Sequence, residues 1–171
     1  MNITIREARP EDAGSLIAYV QALTEEEDID IGLGPGEFQM TEQQERQFIL
    51  DVAAEGNSIM LLALASGEIV GQLTLKGRPR RAVRHSTVLS MSVKKGWRGR
   101  GIGNRLMQAA VAYARECGAI RRIELFVFAR NAGAIHLYEK FGFQVEGRRR
   151  RAIYRKGTYL DDLLMALWIE P

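Results

Sequence analysis

The segment Ser92-Val93-Lys94-Lys95-Gly96-Trp97-Arg98-Gly99-Arg100-Gly101-Ile102-Gly103-Asn104 restricts the fold more than any other part of the chain. It follows the apolar run Val88–Val93. It opens a stretch in which Ile102, Leu106, Ala109, Ala110, Tyr113 and Cys117 share one helical stripe. A second apolar run, Ile123–Phe128, comes next, bounded by Arg121-Arg122 and Arg130-Asn131. A strand that turns through glycines into an amphipathic helix and then into another strand belongs in an α/β domain. The glycines let a backbone approach a ligand closely, and a helix N-terminus offers unpaired N–H groups to an anion. With Arg98 and Arg100 alongside, a phosphate-bearing ligand is the natural occupant; the competing reading is a turn whose arginines are only solvated. The dinucleotide fingerprint fails because Asn104 stands at its next required glycine, and no Gly-Lys-Ser/Thr closes the run as a P-loop would.

The remaining elements follow from periodicity and turn chemistry. Ile3 and Ile5 alternate with polar neighbours, giving a strand over 2–8. Arg9-Pro10-Glu11-Asp12 starts a helix whose apolar face is Leu16, Ile17, Val20 and Leu23. Residues 24–40, acidic and then glycine-rich, read as a loop, and Thr41-Glu42-Gln43-Gln44 is a capping box for a helix to about Ala54. Ile59–Ala65 and Ile69–Lys76 flank the hairpin signal Ser66-Gly67. Asn131 caps a short helix ending at Phe141-Gly142, and Val145–Arg155 and Thr158–Trp168 pair about Lys156-Gly157. The order β-α-α-β-β-β-α-β-α-β-β predicts one domain over 1–171, of α/β (α+β) class, around a mixed sheet.

Composition narrows the function classes. With 46% apolar and 26% charged residues, the 171-residue chain has enough material for a core and is not disordered. No apolar stretch approaches ~18 residues, and the N-terminus has no signal-peptide core, so a soluble cytoplasmic protein without a membrane partner is expected. The formal charge of +3 hides an asymmetry: residues 1–57 hold 3 basic and 13 acidic side chains, residues 58–171 hold 21 and 8. One end should therefore attract anions and the other cations, unless the two neutralise each other. Two histidines and one cysteine form no metal-site spacing, and Cys117 has no His partner for nucleophilic chemistry. Arg148-Arg149-Arg150-Arg151 lies on a strand, where alternation sends half the run to each face, which argues against a nucleic-acid stripe.

Two motifs together carry a resemblance. Arg98-Gly99-Arg100-Gly101-Ile102-Gly103 resembles the R/Q-x-x-G-x-G/A acyl-CoA loop of the GNAT superfamily of N-acetyltransferases. Asn131-Ala132-Gly133-Ala134-Ile135-His136-Leu137-Tyr138-Glu139-Lys140-Phe141-Gly142-Phe143, about thirty residues downstream, is similar to that family's N-x-x-A-x-x-x-Y-x-x-x-G-F segment. The tail, Glu146-Gly147-Arg148 through Met165, resembles the spermidine, ribosomal-protein-alanine and free-amino-acid acetyltransferase branches. The resemblance implies a mixed, twisted sheet with splayed central strands flanked by helices, and acetyl-CoA as co-substrate. It places the pyrophosphate on the amides of Arg98, Gly99, Arg100, Gly101, Ile102 and Gly103, with Asn104 beginning the helix beyond. Pantetheine would lie beside Met91-Ser92-Val93, where a backbone N–H stabilises the oxyanion, with Asn131 and Ala134 lining its channel. Tyr138 would protonate the leaving thiolate.

The resemblance does not decide the acceptor or the base. An acceptor ammonium must lose a proton before attack. Some relatives use a Glu four residues before the position of Arg130, but Phe126 stands there. Glu124 is the substitute candidate, with pairing to Arg121 or Arg122 as its other reading, and His85 is a further one. Glu25, Glu26, Asp28 and Asp30, on the loop expected to wall the acceptor site, would favour a cationic amine such as a polyamine or a basic N-terminus. A free amino acid would instead need a cation for its carboxylate, from Arg84 or from 148–151. A non-catalytic acyl-CoA sensor is the alternative class, and the C-terminal strands offer a homodimer surface.

Overall fold

The computed structural model describes residues 2–170. Seven strands form one sheet in the order β1-β2-β3-β4-β5-β7-β6. They are β1 (Ile3–Glu7), β2 (Ile59–Ala65), β3 (Glu68–Gly77), β4 (Ser86–Val93), β5 (Arg122–Phe128), β6 (Gln144–Arg155) and β7 (Thr158–Trp168). The helices are α1 (Ala13–Thr24), α2 (Glu42–Ala54), α3 (Ile102–Glu116) and α4 (Ala132–Lys140). This is the element order expected from the sequence, with most ends moved by a residue or two. The largest shift is at the first helix: Pro10–Asp12, expected to open it, form a 3-10 turn and α1 begins at Ala13; β4 begins two residues early, at Ser86, where Ser86–Val88 pair with Arg122–Glu124 of β5.

Among the described residues that pairing is the only parallel one, and it stops after Val88↔Glu124, whereas every other neighbouring pair is antiparallel. Beyond it the two strands diverge, leaving the β5-facing backbone of Leu89–Val93 without a strand partner. The sheet is therefore mixed and splayed at its centre.

The layers follow from side-chain alternation. On β2, Ile59, Leu61, Ala63 and Ala65 face α3, while Met60 and Leu62 face α1 and α2, so a strand covered on both sides is apolar throughout. The α3 stripe is buried at Ile102, Leu106, Met107, Ala110, Val111 and Ala114; Ala109, Tyr113 and Cys117, expected at its centre, lie on its flank. On β5, Ile123, Leu125 and Val127 join the α3 side of the core, and Glu124, Phe126 and Phe128 point the other way. Because α1 and α2 pack over β2 and β3, that second face of β5 and β7 is left to the loop between α1 and α2.

Candidate acetyl-transfer cleft

A cleft of about 1050 Å³ runs from the glycine loop, along the split between β4 and β5, to the loop between α1 and α2. It has two halves built in different ways.

The first half is mostly backbone. Gly101 caps α3 in the left-handed conformation (φ 78°), and no side chain satisfies the N–H groups of the first turn. Those groups are free for an anion, and the helix dipole reinforces them. At Gly103 an added Cβ would sit 3.0 Å from Leu137 Cδ2 on α4, so the two helices approach closely here. Asn104 Oδ1 is buried with no hydrogen-bond partner. An orphaned polar atom, uncapped amides and an unpaired strand edge are the features a phosphate-bearing, amide-rich chain would complete, so the residues fit acetyl-CoA.

Within this half the structure brings together Met91, Ser92, Val93, Arg98, Gly99, Gly101, Ile102, Gly103, Asn104, Asn131, Ala134 and Tyr138 in one lining. Arg100 stays outside it, exposed over the Trp97 ring at 5.3 Å. Arg98 does something the motif did not announce. Its Nε donates to Val93 O at 2.9 Å, and its guanidinium pairs with Glu26 and, at 3.8 Å, with Asp28. Arg98 thus braces the loop, leaving the backbone amides as the phosphate donors.

Asn131 caps α4, its side-chain oxygen accepting from Ala134 N at 3.1 Å. One turn on, Tyr138 is 6% exposed, its ring 5.7 Å from that of Phe143. Burial pushes its phenol up to about 12, so the hydroxyl keeps its proton at neutral pH. Tyr19 was missed, although its spacing from Leu16 and Leu23 fits the α1 face. It is buried, and its hydroxyl donates to Ser92 O at 3.0 Å, holding the free end of β4 to α1. Burial raises the Tyr19 phenol as well.

The second half is made of side chains from distant segments: Ile29, Asp30, Ile31 and Leu33 of the loop, Phe126 and Phe128 of β5, and Arg149, Ile153 and Asp162 of β6 and β7. Here the expected acids are otherwise engaged. Glu26 accepts from Lys95 N at 3.0 Å besides pairing with Arg98; Asp28 pairs with Lys95 at 3.3 Å, and Asp30 with Arg130 at 2.7 Å. Lys95 and Arg98 hold the Asp28 carboxyl below its ordinary range. Glu25 lies away from the cleft, in a depression behind α1 with Gln21 and Phe38. Three acids of this loop, Glu26, Asp28 and Asp30, are thus paired with cations from the later part of the chain.

The expected base also moves. Glu124 is not among the lining residues; it pairs with Arg78 and, at 3.3 Å, with Arg122, which also holds Glu146 at 2.7 Å. Alternation places its carboxylate on the Phe126 face, but at the closed, parallel-paired end of the strands, where two guanidiniums reach it. His85 is outside the cleft too, its carbonyl accepting from Arg121 N at 2.8 Å.

A sequence profile of the acetyltransferase (GNAT) family matches residues 12–143. The chain belongs to this family. The GNAT acetyltransferase of Streptococcus pneumoniae superposes with a TM-score of 0.94 at 33% identity, over 99% of this chain and 100% of that one. The L-amino acid N-acetyltransferase AaaT of Escherichia coli (strain K12) is 37% identical over 62% of this chain; the alignment spans 65% of that protein's length. A Salmonella typhimurium putative acetyltransferase, yncA, solved with acetyl-CoA, shares the fold (TM-score 0.84, 20% identity, 98% and 94% coverage). By family, then, this protein is an acetyltransferase. Its described residues include no helix long and apolar enough to cross a membrane and no cluster of metal-ligating side chains.

Proposed function

We propose that this GNAT protein transfers the acetyl group of acetyl-CoA to the amine of a free amino acid, by direct attack on the thioester. The cleft carries this reading: it is continuous from the uncapped N-terminus of α3 to a second half whose acids are all ion-paired. Similarity to an L-amino acid acetyltransferase points the same way.

Acetyl-CoA supplies an activated acyl group. The amides from Gly99 to Gly103 hold the pyrophosphate, and the unpaired backbone of β4 near Met91 donates to the carbonyl oxygen as negative charge develops there. Tyr19 fixes that strand end through Ser92. The Tyr138 hydroxyl gives its proton to the departing thiolate as the C–S bond breaks and the C–N bond forms. Two protons leave the acceptor ammonium: the first passes to solvent water before attack, since each cleft carboxylate is held by a cation, and the second, released as the C–N bond becomes an amide, returns through water to the Tyr138 oxygen and restores its hydroxyl.

Acetyl-CoA-dependent thiol release across L-amino acids, polyamines, aminoglycosides and short peptides tests the reading. Turnover with amino acids, much reduced in Tyr138→Phe, supports it. Spermidine outrunning every amino acid overturns the acceptor. Tight acetyl-CoA binding without turnover of any amine would make the protein a sensor of acyl-CoA.

A further inference from the structure

Asp162 is 2% exposed on β7, at the acceptor half of the cleft, opposite Arg149 of β6 in the strand register. Its two oxygens accept from Arg149 Nε, at 2.8 Å, and from Arg149 Nη2. The guanidinium lies on the Phe126 ring, with Cζ 3.9 Å from the centroid. Two of its five N–H groups are thereby committed, and the Nη1/Nη2 edge has no partner among the described residues. The Arg149 side chain is 53% exposed while that of Asp162 is 3% exposed. A guanidinium fixed in plane and direction, with one donor edge turned outward, is a preformed receptor for a planar anion.

We infer that Arg149 is the specificity-determining residue for the acceptor: its free edge holds the carboxylate of an α-amino acid, so that the amine reaches the thioester between β4 and Tyr138. The inference rests on the proposed amine acetylation. Asp162 is a positioning residue, acting through Arg149. Charge matching selects the same ligand. Arg149 and Asp162 together are neutral, so a neutral zwitterion fits them, whereas a polyamine would bring further positive charge against the exposed guanidinium. Arg130 and Arg155, two other guanidiniums near this end, are not rivals: Arg130 Nε and Nη2 both donate to Asp30 Oδ1, at 3.1 and 2.7 Å, Arg155 Nη1 donates to Ile29 O, and neither lines the cleft.

The test compares an L-amino acid with its carboxamide, for instance L-leucine with L-leucinamide, by thiol release from acetyl-CoA. The wild-type protein should favour the acid in kcat/KM by on the order of 10- to 100-fold, the range of a charge-assisted pair. Arg149→Gln should bring that ratio close to unity, and Arg149→Lys should restore part of it, which a merely misfolded variant would not do. Asp162→Asn should raise the KM of the acid with kcat largely kept. A wild-type protein that treats both acceptors alike, or an Arg149→Gln variant that loses both equally, overturns the assignment. Silence of both acceptors and of every other amine, with acetyl-CoA still bound, overturns the acetylation reading and this one with it.

Discussion

The two halves of the cleft face each other across the same split strands, yet they are built from different material. The donor half is contiguous in sequence: strand, glycine turn and helix start within 91–104, then a second helix start at 131–138. Its chemistry is backbone N–H groups, with the buried Tyr138 hydroxyl as the proposed acid. The acceptor half draws on 29–33, 126–128, 149–153 and 162, and its chemistry is charged side chains held in pairs. A binding site made of backbone is set by local conformation. One made of ion pairs is set by which distant residues the fold brings within about 3 Å of each other.

Tyr138→Phe should have the largest effect. Loss of a general acid costs on the order of 10²- to 10³-fold in kcat. Acetyl-CoA affinity by calorimetry should change little, because the proposed role of the phenol is at the thioester and not at the pyrophosphate. The raised phenol gives a pH test. Folded near 12 against an unfolded value near 10, the group contributes stability that is fully present below pH 10 and is lost as pH climbs toward 12. The rate should therefore show no falling limb below about pH 11, provided the protein stays folded. A falling limb that persists unchanged in Tyr138→Phe would remove Tyr138 from the role of acid.

Gly101→Val attacks the donor half through its backbone. A β-branched residue at φ 78° costs roughly 1–2 kcal/mol and turns the first-turn amides away. We expect acetyl-CoA affinity to fall about tenfold or more while the KM of the acceptor stays near its original value. Equal loss on both substrates would mean that the halves are not separable.

Glu26→Gln cuts the tie between the halves, since Glu26 holds both Arg98 and the Lys95 amide. The expected result is a severalfold rise in acceptor KM, with a smaller rise for acetyl-CoA. A partly buried ion pair is worth about 1 kcal/mol, which differential scanning should register as a fall in Tm of a few degrees.

Glu124→Gln should have the smallest effect on catalysis, less than about threefold in kcat. It should still destabilise the fold by about 1–2 kcal/mol, because Arg78 and Arg122 lose a well-buried partner. A hundredfold loss of kcat at unchanged Tm would return Glu124 to the position of base and redraw the acceptor half.

The order of all eleven strands and helices, the glycine loop and the helix carrying Tyr138 could be read from residue spacing. Each depends on neighbours in the chain: a period of two or of nearly four, a capping side chain, a glycine at a positive φ. Glu25, Glu26, Asp28 and Asp30 could be read only as a run of charge. The partners of Glu26, Asp28 and Asp30, namely Lys95, Arg98 and Arg130, lie some seventy to a hundred positions away, and composition says nothing about distance in space. The same holds for Arg149: within four consecutive arginines nothing marks it, and only pairing with β7 beside Phe126 sets it apart. Tyr19 had the right spacing for the buried face of α1, but its bond to Ser92 required β4 to end beside that helix. Local sequence determined the elements and the backbone-built donor site, because turns, caps and hydrophobic periods act over a few residues. Tertiary structure alone decided which charges are neutralised and which donor edge is left open to the acceptor, because ion pairing depends on separation in space and not along the chain.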